Sequence, residues 1–191
     1  MFLSDVTIFK FINEGRLEIF PSIDVDDIRP TGIRVHLSDE ILIPVPNQTI
    51  DCEKTNEIIY DPVKIGKDGF LLKPNGFILA STIEKIRTSR DILGHLDGRS
   101  TIARLGLQIH CTSGAIDSNY DDPRAIVLEM KNIGVFDLII KPKMPIGMLL
   151  FSQLSEPIMQ KSQSQYKDQR GVQPPNIKYR TKKQRKTEGD G

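Results

Sequence analysis

Residues 125–154 read AIVLEMKNIGVFDLIIKPKMPIGMLLFSQL. Three β-type runs lie in this stretch, at 125–131, 135–140 and 148–154, broken by Asn132-Ile133-Gly134 and by Lys141-Pro142-Lys143. Short runs rich in branched and aromatic residues, punctuated by Asn, Gly and Pro, are what strands joined by tight turns require. Working outward, the same pattern recurs at 17–20, 33–37, 41–45, 69–73, 77–82 and 105–111. Strands at this spacing, without long helical patterns between them, predict a mainly β sandwich or barrel and not βαβ units. The N-terminus is the exception. Ser4 can cap a helix, Leu3, Val6, Phe9 and Ile12 recur every third residue, and Gly15 stops the run, which predicts one short amphipathic helix over 4–13.

At 191 residues, with 38% hydrophobic and 27% charged side chains, the chain has the composition of one globular domain, with or without a tail. The longest apolar stretch, Met148 to Phe151 preceded by Ile146 and Gly147, is far short of the roughly 20 residues of a membrane-spanning helix. The first residues carry no basic group ahead of the apolar ones, unlike a secretory signal. Cys52 and Cys111 stand far apart with no Cys-x-x-Cys, so neither a disulfide framework nor a cysteine zinc site is encoded. A cytoplasmic protein with no membrane partner is expected.

Net charge is +1, unevenly spread. Six of the 26 basic residues fall between Lys178 and Lys186, leaving 20 basic against 25 acidic residues, a net of −5, elsewhere. From Glu156 onward apolar residues thin out, and such a segment cannot bury enough surface to order itself. The expected organisation is a core over 1–155 and an arm over 156–191 that orders only against something else and ends in a basic disordered tail. Six positive charges at a terminus more often solubilise than bind nucleic acid, so no nucleic-acid partner is expected.

Three segments could carry chemistry. In Gly98-Arg99-Ser100-Thr101-Ile102-Ala103-Arg104-Leu105-Gly106, two guanidiniums, a hydroxyl pair and a leading glycine are what a phosphate requires. A turn followed by a short helix with surface arginines accounts for the same letters. In Ile126-Val127-Leu128-Glu129-Met130, a carboxylate sits inside an apolar run. If the strand alternates, Glu129 shares a face with Val127 and Lys131, and Ile126, Leu128 and Met130 take the other. Such a carboxylate can be tuned toward general-base work, or it can be a solvated residue on an ordinary edge strand. Between them, Asp117 and Tyr120 are spaced for a sugar hydroxyl and a sugar face, or for a plain Asx turn. His36, His95 and His110 lack metal-ligand spacing, and His110 reads as a strand residue.

Together, the order and wording of these segments resemble the deoxycytidine triphosphate deaminase family of the trimeric deoxyuridine triphosphatase (dUTPase) superfamily. The resemblance runs from Leu3-Ser4-Asp5 through Glu14-Gly15-Arg16-Leu17, Phe77 to Thr82, Gly98 to Gly106 and Ile126 to Glu129, as far as Tyr166-Lys167-Asp168-Gln169-Arg170-Gly171. It implies a distorted jelly-roll β-barrel of the dUTPase-like type with a short N-terminal helix and a flexible C-terminal arm, assembled as a homotrimer with active sites between subunits. It further implies hydrolytic deamination of dCTP to dUTP, with Glu129 activating the water and Ser100 and Arg104 close by. Arg99, Ser100, Thr101, Ile102, Ala103 and Arg104 would bind the phosphates, Asp117 the 3′-hydroxyl, Tyr120 the deoxyribose face, and Val127 and Leu128 the base. Gln165 and Gln169 belong to the closing arm. Mg²⁺ would enter on the substrate triphosphate, and zinc takes no part; the His-x-Glu and Cys-x-x-Cys strings of zinc-dependent base deaminases are missing from the sequence.

Departures from the family pattern are also legible. Residues 31–37 read Thr-Gly-Ile-Arg-Val-His-Leu where the family reads Ser-Ser-Ile-Asp-Val-Arg-Leu, the loop over 117–124 is two residues longer, and Gln165 replaces a lysine. Thr112-Ser113-Gly114-Ala115 matches neither the Thr-Ala-His-Arg of deaminases that stop at dUTP nor the Thr-Ala-Gly-aromatic of enzymes that continue to dUMP. Three readings therefore stand: a dCTP deaminase; a dUTP pyrophosphatase, alone or bifunctional; and a superfamily member that binds nucleotide or RNA without turnover.

Overall fold

The structure is a computed structural model that describes residues 1–52, 57–118, 122–159, 166 and 169–177. The chain opens with α1 (Asp5–Asn13) and β1 (Leu17–Phe20), then β2 (Ile28–Arg29), β3 (Gly32–His36), β4 (Glu40–Pro44), β5 (Tyr60–Lys64) and β6 (Phe70–Leu72). The long β7 (Phe77–Thr88) and β8 (Ile92–Gly98) follow, then a single helical turn, α2 (Ser100–Ala103). The remainder is β9 (Leu107–Gln108), β10 (Ala115–Ile116), β11 (Arg124–Asn132), β12 (Leu138–Ile140) and β13 (Pro145–Gln153).

Two antiparallel sheets face each other, one ordered β5-β4-β7-β11-β9 with β1 also on β7, the other ordered β10-β8-β13-β3-β2; β6 and β12 form a separate ribbon. The core between them holds Ile33, Val35 and Leu37 from one side and Ile78, Ala80, Leu128 and Met130 from the other, closed by Leu149 and Phe151. The expected mainly β barrel with a short N-terminal helix is the fold observed.

Several expectations need correction. Ser4 occupies the cap position of α1 but makes no side-chain cap bond. The buried face of α1 is Ile8 and Phe11, and Val6 is 75% exposed. A strict three-residue repeat slips around a helix of about 3.6 residues per turn, so Leu3, Val6, Phe9 and Ile12 cannot share one face. The run at 105–111 contracts to β9, with His110 just beyond it. β5 and β8 were not expected. The sequence of β8 carries Gly94, His95, Asp97 and Gly98 and offers little strand pattern, yet the strand pairs with β13 along its length and buries Ile92 and Leu96.

The two sheets are stitched by a buried carboxylate. Glu84 of β7 is 5% exposed, and its carboxylate accepts from the His36 backbone N–H at 2.8 Å and pairs with His36 Nδ1 at 2.7 Å, tying β3 to β7. A buried carboxylate without such partners would be strongly destabilising.

Candidate active site

The expected alternation in β11 holds over most of its length. Leu128 and Met130 are fully buried, and Val127, Glu129 and Lys131 lie half-buried on the opposite face. Ile126 departs from it. Val127 pairs with Ser81 and Ala125 with Lys85, so residues 82–84 of β7 stand opposite Ile126 alone. The Ile126 N–H then finds the Thr82 hydroxyl at 3.0 Å instead of a ladder carbonyl, and that hydroxyl donates to the Glu84 carbonyl at 2.8 Å. An irregularity of this kind bends a strand and re-aims its side chains.

Beside this bend lies a cavity of about 580 Å³. Of the residues singled out in the sequence, Val127, Glu129, Asp117 and Gln169 line it. The Glu129 carboxylate accepts from the Cys111 backbone N–H, 3.3 Å from Oε2. The C-terminal segment covers one side: Gln169 Nε2 donates to the Ala125 carbonyl at 2.7 Å, Arg124 Nη1 donates to the Tyr166 carbonyl at 3.1 Å, and the Asn176 N–H donates to the Tyr166 hydroxyl at 3.0 Å. Tyr60 and Tyr166 both face this space. Burial, and after it the neighbouring Tyr166, pushes the Tyr60 phenol above its ordinary pKa, so the Tyr60 ring enters as a neutral group near pH 7.

Residues 99–104 do not line this cavity. Arg99 sits at the N-terminal end of α2 and its Nη1 donates to the Pro145 carbonyl at 3.0 Å. Ile102 packs into the core, whereas Ser100, Thr101, Ala103 and Arg104 are exposed. Within one chain, the two guanidiniums and the carboxylate therefore stand apart. Leu128, fully buried, can offer a ligand only its main chain. Tyr120, Gln165 and the basic stretch at 178–186 lie outside the described residues.

Sequence reasoning missed Tyr60, Ser113 and Arg124 as lining residues and Cys111 as the donor to Glu129. Cys111 had been placed inside a strand, where its N–H would have served a ladder. Tyr60 comes from a hairpin distant in the chain and carries no local signal. The described residues hold no group of three or more His, Cys, Asp or Glu placed to bind a metal, and no helix among them is long and apolar enough to cross a membrane.

Comparison with known proteins bears on this arrangement. Residues 2–154 match the family model described as dCTP deaminase-like. A protein of Halobacterium salinarum named dCTP deaminase, dUMP-forming, is 31% identical over 191 residues, covering 93% of this chain and 95% of the relative. The dCTP deaminase of Rhodospirillum rubrum is 33% identical over 183 residues, covering 88% and 93%. In structure, the chain is similar to the 2′-deoxycytidine 5′-triphosphate deaminase of Agrobacterium tumefaciens, with a TM-score of 0.61 and 15% identity, over 81% of this chain and 48% of that one, so it spans about half of that protein's length. With a family model matched over four-fifths of its residues and relatives this similar end to end, the chain belongs to the dCTP deaminase-like family.

Proposed function

We propose that this protein is a hydrolytic deaminase that converts dCTP and water to dUTP and ammonia, with Glu129 activating the water. The observation that carries the reading is the position of Glu129 on the cavity wall, its carboxylate steadied by the Cys111 N–H. A carboxylate held by one donor keeps lone pairs for a water molecule. The water oxygen bonds to C4 of cytosine, and the C4–N bond breaks. Of the two water protons, one ends on N3 and the other on departing ammonia, with Glu129 carrying them between. The main chain of Val127 and Leu128 would read the base edge, Asp117 the 3′-hydroxyl, and Gln169 would hold the arm over the nucleotide. Tyr120 beneath the sugar and Gln165 on the arm complete the reading at positions that are not described.

The cations enter from a second copy. Because residues 99–104 do not line their own chain's cavity, we assign Arg99, Ser100, Thr101 and Arg104 to the site of a neighbouring subunit in a homotrimer. An exposed apolar surface adjoins that loop: Leu105 follows it, Ile133 and Phe136 lie across the Gly106–Gly134 contact, and Leu71 pairs with Ile139 on the ribbon beyond. Surfaces of this kind mark protein contacts. Mg²⁺ would ride on the triphosphate oxygens of the substrate, in keeping with its preference for phosphate and water ligands. Residues 1–155 form the nucleotide-binding barrel in this reading and 156–191 the closing arm. The exposed, unbridged Cys52 and Cys111 suit the reducing cytoplasm.

Replacing Glu129 with Gln is expected to abolish ammonia release from dCTP while leaving nucleotide binding measurable by calorimetry; a fully active variant overturns the assignment. A second reading, continuation to dUMP and pyrophosphate, is favoured by Gly114. A Cβ there would stand 3.0 Å from the Leu96 carbonyl oxygen and 3.1 Å from His95, a tight fit for the histidine of enzymes that stop at dUTP. Chromatography of the products from dCTP and, separately, from dUTP decides between them.

A further inference from the structure

A second concavity, about 490 Å³, is lined by Ser81, Thr82, Ile83 and Lys85 of β7, none of which lines the Glu129 cavity. Four cationic residues line it, Lys67, Lys85, Lys143 and Arg170, against the acids Asp39 and Glu40. Asp39 is engaged by Lys64, at 3.3 Å, from outside the concavity. Outside its terminal stretch the chain has 20 basic and 25 acidic residues, so four cations converging on one hollow run against the average of the body. Such a hollow raises the local concentration of anions.

Lys143 carries a further mark. It holds φ +64°, the left-handed region that a side chain with a Cβ disfavours, in the turn that follows Pro142. Its N–H donates to the Leu37 carbonyl at 2.8 Å, which fixes the turn. Glycine suits this position conformationally, and the lysine present there lines the hollow.

We propose that this concavity is a second anion site, taking a polyphosphate group through Lys67, Lys85, Lys143 and Arg170, and that it acts on the catalytic cavity through the C-terminal arm. The two cavities share that segment. Gln169 lines the first and bonds to the Ala125 carbonyl of β11, while the next residues, Arg170 and Gly171, line the second. They also share a wall. Thr82 lines the second cavity and accepts from the N–H of Ile126, which lines the first. A polyanion bound to Arg170 would hold the arm against the barrel beside both cavities. Its binding stands apart from the deaminase reading; only its effect on turnover depends on that reading.

The test uses the full chain without nucleotide, titrated calorimetrically with inorganic tripolyphosphate and, in a second arm, with ATP, which carries the same tail on a purine nucleoside. The Lys67→Ala/Lys143→Gly double variant is expected to bind tripolyphosphate about tenfold more weakly than the parent and to keep its KM for dCTP. The Arg104→Ala variant, altered in the proposed substrate loop, should retain that binding. Tripolyphosphate should slow tryptic cleavage after Arg170 in the parent and not in the double variant. Lys143→Gly is compatible with the turn, and a thermal melt checks that the double variant folds. If ATP binds as tripolyphosphate does, the ligand is a nucleotide tail; if only tripolyphosphate binds, it is a free polyanion. Binding unchanged in the double variant, binding lost in Arg104→Ala, or no binding at all overturns the site. Loss of dCTP turnover in the parent chain would count against the deaminase reading and leave the binding result standing.

Discussion

Asp91 shows how much a single carboxylate can gather. Its oxygens accept from the Ser89 hydroxyl at 2.6 Å and from the Arg16 guanidinium, which also stacks over Phe11 at 3.7 Å, so one residue joins the start of β8 to the end of α1. The Ser89 hydrogen bond, opposed by burial and aided by the Asp91 backbone and Arg16, holds its pKa below the ordinary carboxylate value. The ionised form is the one favoured by folding, so this stabilisation is present above the unfolded pKa of about 3.9 and disappears as pH falls through the lower folded value. Asp91→Asn is expected to cost about 1 kcal/mol at pH 7 and to flatten the loss of stability below about pH 4. Thermal melts of both proteins from pH 7 to pH 3 check this. Glu129 presents the contrasting case. Its place inside an apolar run was visible in the sequence, but its partner Cys111 was not, because a backbone donor can be assigned only when the path of its chain is known.

Among the elements, α2 and its exit matter most to the proposed chemistry. Gly106 follows it at φ +86°, and a Cβ there would stand 2.4 Å from the Gly134 Cα. The Ile133 N–H donates to the Gly106 carbonyl at 2.8 Å, so the arginine loop is pinned to the end of β11. Asn132, fully buried, braces the same corner through Leu72, Phe136 and Gly134. Gly106→Ala meets both a conformational and a steric penalty and is expected to destabilise the fold by about 2–4 kcal/mol, read by urea denaturation, with kcat/KM for dCTP falling as well. At this scale the sequence was legible where turn residues agree with strand pattern, as at 17–20 and across β11. It gave no strand signal at β8, where glycines and charges are tolerated because β13 and β10 pair with the strand on either side. It misled at α1, where three-residue spacing was taken for a face.

For the whole molecule, residues 99–104 do not line the cavity that Glu129 lines, and the proposed homotrimer with its shared site is testable by mixing subunits. Glu129→Gln and Arg104→Ala, each inactive alone, should complement when subunits are mixed, since one kind of interface pairs an intact carboxylate with an intact guanidinium. Random assortment restores about a quarter of the parental activity in a 1:1 mixture. Activity staying at the level of the separate variants would place both groups in one chain's site and remove the shared-site reading.

The sequence by itself determined the mainly β class, the N-terminal helix, the alternation that turns Glu129 away from the core, and the family. These follow from local periodicity, turn chemistry and motif spacing, which neighbouring residues encode. Only the tertiary structure decided which chemistry-bearing residues meet. The irregular pairing of β7 with Ile126, the Cys111 donor, Tyr60 on the cavity wall and the arm lying between two cavities all depend on contacts between distant segments. Such contacts arise from the packing of two sheets, and no short window of sequence records them.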